Sequence, residues 1–166
     1  MKATFFTLFL SLLAFTWASA QSPHVTTTGK NVSITYGQPS KRGRLLFGSE
    51  SSASLEKYGK VWRIGADSAT VITFKKDGTF GGKSIKAGTY TFFAIPAEKD
   101  WTIILNSQLH QFGAYSYQEF KSKDVLKVTV PAKTYPASQE KLTFTVQDNS
   151  LDFQWDKAGF SIPVKF

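Results

Sequence analysis

The sequence predicts an all-β protein: a single antiparallel β-sandwich of Ig-like or jelly-roll type, with about ten short strands and little helix. Segment after segment alternates apolar and polar residues, which is typical of a strand with one buried and one solvated face. Short turns rich in glycine, asparagine and aspartate separate these segments. No stretch after the N-terminal twenty residues shows a convincing helical period. The strand order, and with it the choice between the two topologies, stays open.

The first predicted strand contains Val32, Ile34 and Tyr36, which alternate with polar neighbours. Turn sequences then divide the chain at Lys76–Gly78, at Lys86–Gly88 and at Pro96–Asp100, and they predict hairpins. The strands that these turns separate are Thr70–Phe74, Thr79–Phe80, Thr89–Ile95 and Trp101–Asn106. The third of them is apolar on both faces from Tyr90 onwards, so we expect it to be a central strand covered on both sides.

The C-terminal third predicts a meander of three strands: Lys141–Val146, Leu151–Asp156 and Phe160–Phe166. We expect turns at Asp148–Ser150 and at Lys157–Gly159 to connect them. The best helical candidate is Glu50–Tyr58, where a serine could cap one or two turns. Gln108–Lys123 is the longest irregular stretch and is expected to be a partly structured loop.

The N-terminal twenty residues have the pattern of a signal peptide. Lys2 provides the positive start, Phe5–Trp17 is an apolar run of the right length, and Ala18-Ser19-Ala20 gives a cleavage motif. The apolar run is too short for an anchored transmembrane helix. We therefore expect cleavage before Gln21, no membrane anchor afterwards, and export to the periplasm or the extracellular space. Residues 21–166 would then form the single sandwich domain.

The composition limits the possible chemistry. The chain has no cysteine and only two histidines, which excludes thiol chemistry, disulfides and cysteine-ligated zinc, and no metal site or cofactor is predicted. The net charge of +8 would suit an anionic partner. However, the lysines are scattered along strand faces and turns, so we expect no nucleic-acid binding. The oligomeric state stays open.

A basic cluster surrounds the motif Val61–Asp67, and it is the main candidate for a binding site. Arg42 and Arg44 lie in a loop, and Arg63 stands beside Trp62 within the motif. Guanidinium groups can bind a carboxylate, phosphate or uronate in bidentate fashion. In the alternative interpretation, Trp62 fills the core because neighbouring residues of a strand point to opposite faces, and Arg63 pairs with Asp67.

Aromatic residues could add stacking contacts to such a site. Trp62 is one candidate, and Tyr115 and Tyr117 in the irregular stretch are others, since exposed aromatic rings stack on sugar rings. The alternative is that these loop residues fold back over one open end of the sandwich.

Several motifs occur in a recognisable order: Tyr58–Asp67, Ala69-Thr70, Ala87–Tyr90, Phe93–Pro96, Trp101–Asn106 and Asp124–Leu126. Together they resemble the exported bacterial domain-of-unknown-function family 2911, over nearly all of the chain after the leader. The resemblance implies no established activity. The family pattern has asparagine where this chain has Asp67, and tryptophan where it has Phe112. An ionised Asp67 cannot replace an amide donor, which favours an Arg63–Asp67 ion pair.

Three functional classes follow from these observations. The first is a non-enzymatic binding module for a small polar or anionic ligand, or for an envelope or glycan component. The second is a hydrolase on the same scaffold that uses His110 and an acid such as Asp67, although no Gly-x-Ser-x-Gly motif is present. The third is a structural module of the cell envelope without a small ligand.

Overall fold

The computed structural model describes residues 21–166, so the predicted leader lies outside the described residues. Twelve strands occur within this range, with one short helix, α1 (Tyr117–Phe120), and a 3-10 turn at Lys121–Lys123. The strands are β1 (His24–Thr28), β2 (Val32–Gly37), β3 (Phe47–Gly48), β4 (Glu56–Lys57), β5 (Val71–Phe74), β6 (Gly78–Phe80), β7 (Lys83–Ile85), β8 (Gly88–Ile95), β9 (Asp100–Asn106), β10 (Asp124–Pro131), β11 (Lys133–Val146) and β12 (Ser150–Lys165).

Two antiparallel sheets form the sandwich. The larger has the order β1-β2-β5-β8-β9-β10, and the smaller has the order β11-β12-β6-β7. The two-residue strands β3 and β4 form a separate parallel pair. The predicted all-β sandwich is therefore confirmed, and the strand count exceeds the expected ten because of this short pair.

The core between the sheets is built from the inward members of the alternating strands. Ile34 of β2 and Ile72 of β5 pair directly and are both fully buried. Aromatic residues dominate the centre, where the Trp101 ring lies 5.5 Å from Phe153 and 5.4 Å from Phe160. Such contacts at edge or tilted angles stabilise a core beyond the burial of apolar area alone.

Strand β8 is covered on both faces, as its two apolar faces predict. Phe92 and Ala94 belong to the main core, while Phe93 packs with Ile104 and Tyr117 in a second, smaller cluster. The irregular stretch after β9, which carries α1, provides this outer cover. No helix within residues 21–166 has the length and apolar character needed to cross a membrane.

Three of the predicted hairpin turns are wrong. The Lys86–Gly88 turn closes no hairpin, because it joins β7 of the smaller sheet to β8 of the larger one. The Asp77-Gly78 turn does not close a hairpin, because β5 pairs with β2 and β8 while β6 pairs with β12 and β7. It carries the chain from one sheet to the other. The Lys157–Gly159 turn is absent, since β12 runs without a break from Ser150 to Lys165. At this point Asp156 adopts a positive φ (54°), and the pairing of β12 with β11 shifts in register.

The predicted helix over Glu50–Tyr58 is also wrong. This segment forms a turn followed by β4, and its serine hydroxyls bond locally to the backbone. Ser52 Oγ donates to the Ser49 carbonyl at 2.7 Å, and Ser54 Oγ donates to the Glu56 carbonyl at 3.0 Å. Such bonds offer the backbone an alternative to the helical ladder.

Candidate functional site

A pocket of about 240 Å³ opens where the loop before β3, strand β4 and the segment after Trp62 meet. Three of the predicted site residues line it, namely Arg42, Arg44 and Arg63. The other lining residues are Ser22, Pro39, Ser40, Leu55, Glu56, Gly65, Ala66 and Trp155. The structure thus brings three arginines from two distant segments to one concavity.

The loop that carries Arg42 is fixed against β11. The backbone N–H of Lys41 donates to the Glu140 carbonyl at 2.7 Å, and that of Arg42 donates to Glu140 Oε1 at 2.9 Å. Lys41 Nζ forms an ion pair with Asp156 at 2.8 Å. Arg42 itself has a φ of 49°, a left-handed conformation that costs on the order of 1 kcal/mol for a residue with a side chain. One wall of the pocket is therefore anchored at several points.

The three guanidinium groups differ in their partners. Arg44 is held by its own loop, since its Nε donates to the Lys41 carbonyl at 3.0 Å and its NH2 group to the Ser40 carbonyl at 2.7 Å. Arg42 is exposed and uses only its backbone N–H in the contact with β11. Arg63 takes part in none of the ion pairs formed within residues 21–166, and its Nε is buried without a hydrogen-bond partner.

The backbone around Arg63 directs its side chain into the pocket. Trp62 exchanges two backbone hydrogen bonds with Ala94 of β8, at 2.8 and 3.0 Å, which fixes the segment to the sheet. Ile64, which follows, has a φ of 50° and is fully buried. This conformation is rare for a β-branched residue, so the surrounding packing must enforce it. The Ile64 carbonyl accepts a hydrogen bond from Thr70 Oγ1 at 2.9 Å, which holds the turn.

Glu56 is the acidic member of the pocket, and the sequence analysis missed it. Burial raises the pKa of its carboxyl from the usual 4.5 to about 7, and the nearby Arg63 charge offsets only part of this effect. No ion pair within 4 Å joins Glu56 to Arg63 in the part of the chain that the structure describes. The local sequence does not indicate that Glu56 lines the pocket, because its position depends on how the serine-rich segment turns back over the sandwich.

Trp155, not Trp62, is the tryptophan that lines the pocket. Its side chain is almost fully buried, and its indole N–H donates to the Glu140 carbonyl at 3.2 Å. Trp62 lies behind it, with the two rings stacked at 6.0 Å and an interplanar angle of 10°. Trp62 is 3% exposed and lies in the main core, so the structure contradicts its predicted stacking role. The alternation of strand residues, which pointed to the core, explains this outcome.

Asp67 lies away from the arginine pocket, and the expected Arg63–Asp67 ion pair is not formed. The side chain within ion-pair distance of it is His24, whose Nε2 lies 3.9 Å from Asp67 Oδ2. Its carbonyl accepts a hydrogen bond from Gly113 N at 3.0 Å, which attaches it to the irregular loop. The left-handed turns at Ile64 and Asp67 (φ of 50° and 61°) send the two side chains to different places.

The aromatic loop residues have opposite environments. Tyr115 is 82% exposed and stacks on Phe112, with the ring centroids 6.5 Å apart. Tyr117 is buried and donates from its hydroxyl to Asp124 Oδ2 at 2.7 Å, so it is a structural residue of α1 and not an exposed stacking residue. Burial and the Asp124 contact raise the pKa of the Tyr117 phenol. Neither tyrosine lines the arginine pocket.

His110 and Asp67, the residues named for the alternative hydrolase, form no ion pair with each other within residues 21–166. His110 is exposed in the irregular loop, with a φ of 59°. It belongs to none of the ion pairs between residues 21 and 166, and the acid named with it, Asp67, has His24 as its neighbour. Within the same range, no group of three histidine, aspartate or glutamate side chains is placed to hold a metal ion.

Comparison with known protein families supports the family resemblance that the sequence motifs indicate. A family model described as "Protein of unknown function (DUF2911)" matches residues 18–164. No curated protein and no solved structure matches the chain. The match covers the whole sandwich up to the last residues of β12, and the chain therefore belongs to this family.

Proposed function

We propose that the protein is an exported, non-enzymatic binding module, and that its arginine pocket holds a small ligand through a carboxylate or phosphate group. The observation that carries the proposal is the Arg63 guanidinium, which enters the pocket and leaves its buried Nε without a partner among the described residues. A buried donor without an acceptor costs about 1–3 kcal/mol. A rotation of the side chain that brings the Nε to an oxyanion in the pocket would remove this cost, and the oxyanion would accept further bonds from the same planar group.

The charge of the pocket supports an anionic ligand. In the part of the chain that the structure describes, the side chains of Arg42 and Arg63 have no carboxylate partner, and Arg44 adds a third positive charge that is held in place by carbonyl groups. Lys41 nearby is already paired with Asp156. Because Glu56 has a pKa of about 7, it is largely neutral below that pH and then adds a hydrogen-bond donor in place of a negative charge.

The size of the pocket limits the ligand. Sites for drug-sized molecules usually enclose about 300–1,000 Å³, so a pocket of about 240 Å³ suits a compact molecule such as a single sugar acid or a short organic acid. Leu55, which lines the pocket and is 42% exposed, provides an apolar contact for the carbon skeleton of such a ligand.

The test is a thermal-shift and calorimetric titration with sodium glucuronate, sodium acetate and inorganic phosphate at constant ionic strength. At least one of these probes should raise the melting temperature, because a ligand that binds only the native state stabilises it by mass action. Arg63→Ala should abolish the shift while the melting temperature of the free protein changes by a few degrees at most. Arg63→Lys keeps the charge but loses the planar fork, so it should restore only part of the affinity.

The matched control is Lys60→Ala, which removes one positive charge close in sequence from an exposed pair with Glu50. It should leave the titration unchanged, since exposed pairs contribute little. Equal losses in Lys60→Ala and Arg63→Ala would show that the probes respond to overall charge, and the proposal would then be wrong. Arg63 would have a structural role if Arg63→Ala unfolds while Arg63→Lys keeps the full ligand-induced rise in melting temperature.

A further inference from the structure

A second concavity lies on the outer face of the β11–β12 hairpin, away from the arginine pocket. It encloses about 370 Å³, and it is lined by Lys133, Tyr135, Gln139, Thr143, Thr145, Gln147, Asp152, Phe153 and Gln154. We call it the hairpin groove. It shares no residue with the arginine pocket.

The floor of the hairpin groove follows from strand alternation. Leu142 and Phe144 point into the core, so Thr143 and Thr145 face outwards from β11. The register places Gln154 opposite Thr143 and Asp152 opposite Thr145. Four polar side chains therefore form one patch on two neighbouring strands, where directly opposed side chains lie about 5 Å apart.

Tyr135 forms the aromatic side of the groove. The pairing of β11 with β12 shifts between Thr134 and Gln139, and this irregular stretch carries Tyr135. Its half-buried ring lies over Gly159, where an added Cβ would come within 2.7 Å of Tyr135 Cε2 and would also clash with the Phe153 carbonyl. Gly159 thus leaves the space in which the tyrosine ring is seated. Burial, together with the nearby Asp152 charge, raises the pKa of the Tyr135 phenol, which keeps it a neutral donor.

The glutamines of the groove use their amide N–H groups internally and present their oxygens. Gln139 Nε2 donates to Thr143 Oγ1 at 3.2 Å, Gln147 Nε2 donates to Asp152 Oδ2 at 3.1 Å, and Gln154 Nε2 donates to the Ala137 carbonyl at 2.9 Å. These bonds orient three acceptor oxygens. The Lys133 ammonium and the hydroxyls of Thr145 and Tyr135 add donors to the same lining.

We propose that the hairpin groove binds an uncharged saccharide, with one sugar ring against Tyr135 and its hydroxyls bonded to the glutamine and threonine side chains. A sugar hydroxyl both donates and accepts, which matches a lining that offers both kinds of group. An aromatic ring covers the apolar face of a sugar, and the polar groups fix its orientation. Lys133 and Asp152 carry opposite charges, so the groove has no excess charge that would favour an ion, in contrast to the arginine pocket.

The test uses neutral oligosaccharides, namely cellotriose, maltotriose and chitotriose, in calorimetric titrations and in amide NMR spectra of the protein. At least one of them should bind and shift the amide signals of β11 and β12. Tyr135→Ala should weaken this binding on the order of tenfold, because the loss of one aromatic contact of about 1.4 kcal/mol changes the affinity by that factor. Thr145→Val, which keeps the shape of an outward side chain, should weaken binding severalfold and serves where Tyr135→Ala does not fold.

Tyr115→Ala is the matched control, since it removes an exposed tyrosine that lies outside the groove. It should bind the saccharide like the unchanged protein. Arg63→Ala should do so too, because saccharide binding in the hairpin groove does not depend on the arginine pocket. The proposal is overturned if no saccharide binds at millimolar concentration, or if Tyr115→Ala weakens binding as much as Tyr135→Ala. Signal shifts confined to the Phe112–Tyr115 loop would also overturn it.

Discussion

Replacing Glu56 by glutamine should change how the stability of the protein depends on pH. Burial raises the pKa of this carboxyl from 4.5 to about 7 in the native state, while the unfolded chain keeps the lower value. The native state therefore binds more protons between these two pH values, and the free energy of unfolding falls as the pH rises through this window. At about 1.4 kcal/mol per pH unit, the full loss at pH 8 amounts to about 3 kcal/mol.

Glutamine cannot ionise, so Glu56→Gln should lack this loss. The difference in unfolding free energy between the variant and the parent should grow in favour of the variant by about 2–3 kcal/mol from pH 5 to pH 8. Urea unfolding followed by tryptophan fluorescence measures this difference directly, with linear extrapolation at each pH. Glu50→Gln is the matched control, because Glu50 is exposed in its pair with Lys60 and should show a flat difference. A flat difference for Glu56→Gln as well would refute the assignment of a raised pKa to Glu56.

Three further outcomes follow from the same structure. Anion binding should weaken about tenfold between pH 6 and pH 8 as Glu56 ionises, and Glu56→Gln should remove this dependence in the same calorimetric titration. Gly37→Ala should lower the free energy of unfolding by about 1–3 kcal/mol, because the new Cβ would overlap the Ala66 carbonyl; an unchanged midpoint in urea unfolding would contradict this packing. Tyr117→Phe should lower the free energy of unfolding by about 1–2 kcal/mol, because Asp124 loses a hydroxyl donor. Slower amide exchange in α1 of the variant than in the parent would contradict this.

The fold class could be predicted from the sequence because period-two alternation is a local signal. Phe153 and Trp155 alternate with polar neighbours, and both are buried in the structure. The strand partners could not be predicted in this way, since pairing depends on contacts far apart along the chain. The Asp77-Gly78 turn has the residues of a hairpin, yet it connects two sheets. A turn motif defines the local change of direction but not the sheet that the next strand joins.

The candidate site was predictable to the extent that its side chains follow strand alternation. This rule sends Trp62 into the core and its neighbour Arg63 away from it, and the structure places both accordingly. Glu56 and Trp155 could not be found in the same way. One reaches the pocket because a serine-rich segment folds back as β4, and the other because β12 continues past a left-handed Asp156. Both events depend on tertiary contacts that no local pattern encodes.

The arginine pocket and the Trp62–Ile64 segment beside it gather several features that lower stability. Arg42 and Ile64 have left-handed backbones. Among residues 21–166, the Arg63 Nε has no hydrogen-bond partner and the half-buried Glu56 forms no ion pair. Each such feature costs on the order of 1–3 kcal/mol, and features of this kind concentrate at functional sites. A purely structural arginine would gain most by closing onto Glu56, the acid whose pKa it already influences. The two side chains instead remain more than an ion-pair distance apart across the pocket, and an oxyanion placed between them would accept from the guanidinium and from the protonated carboxyl at once.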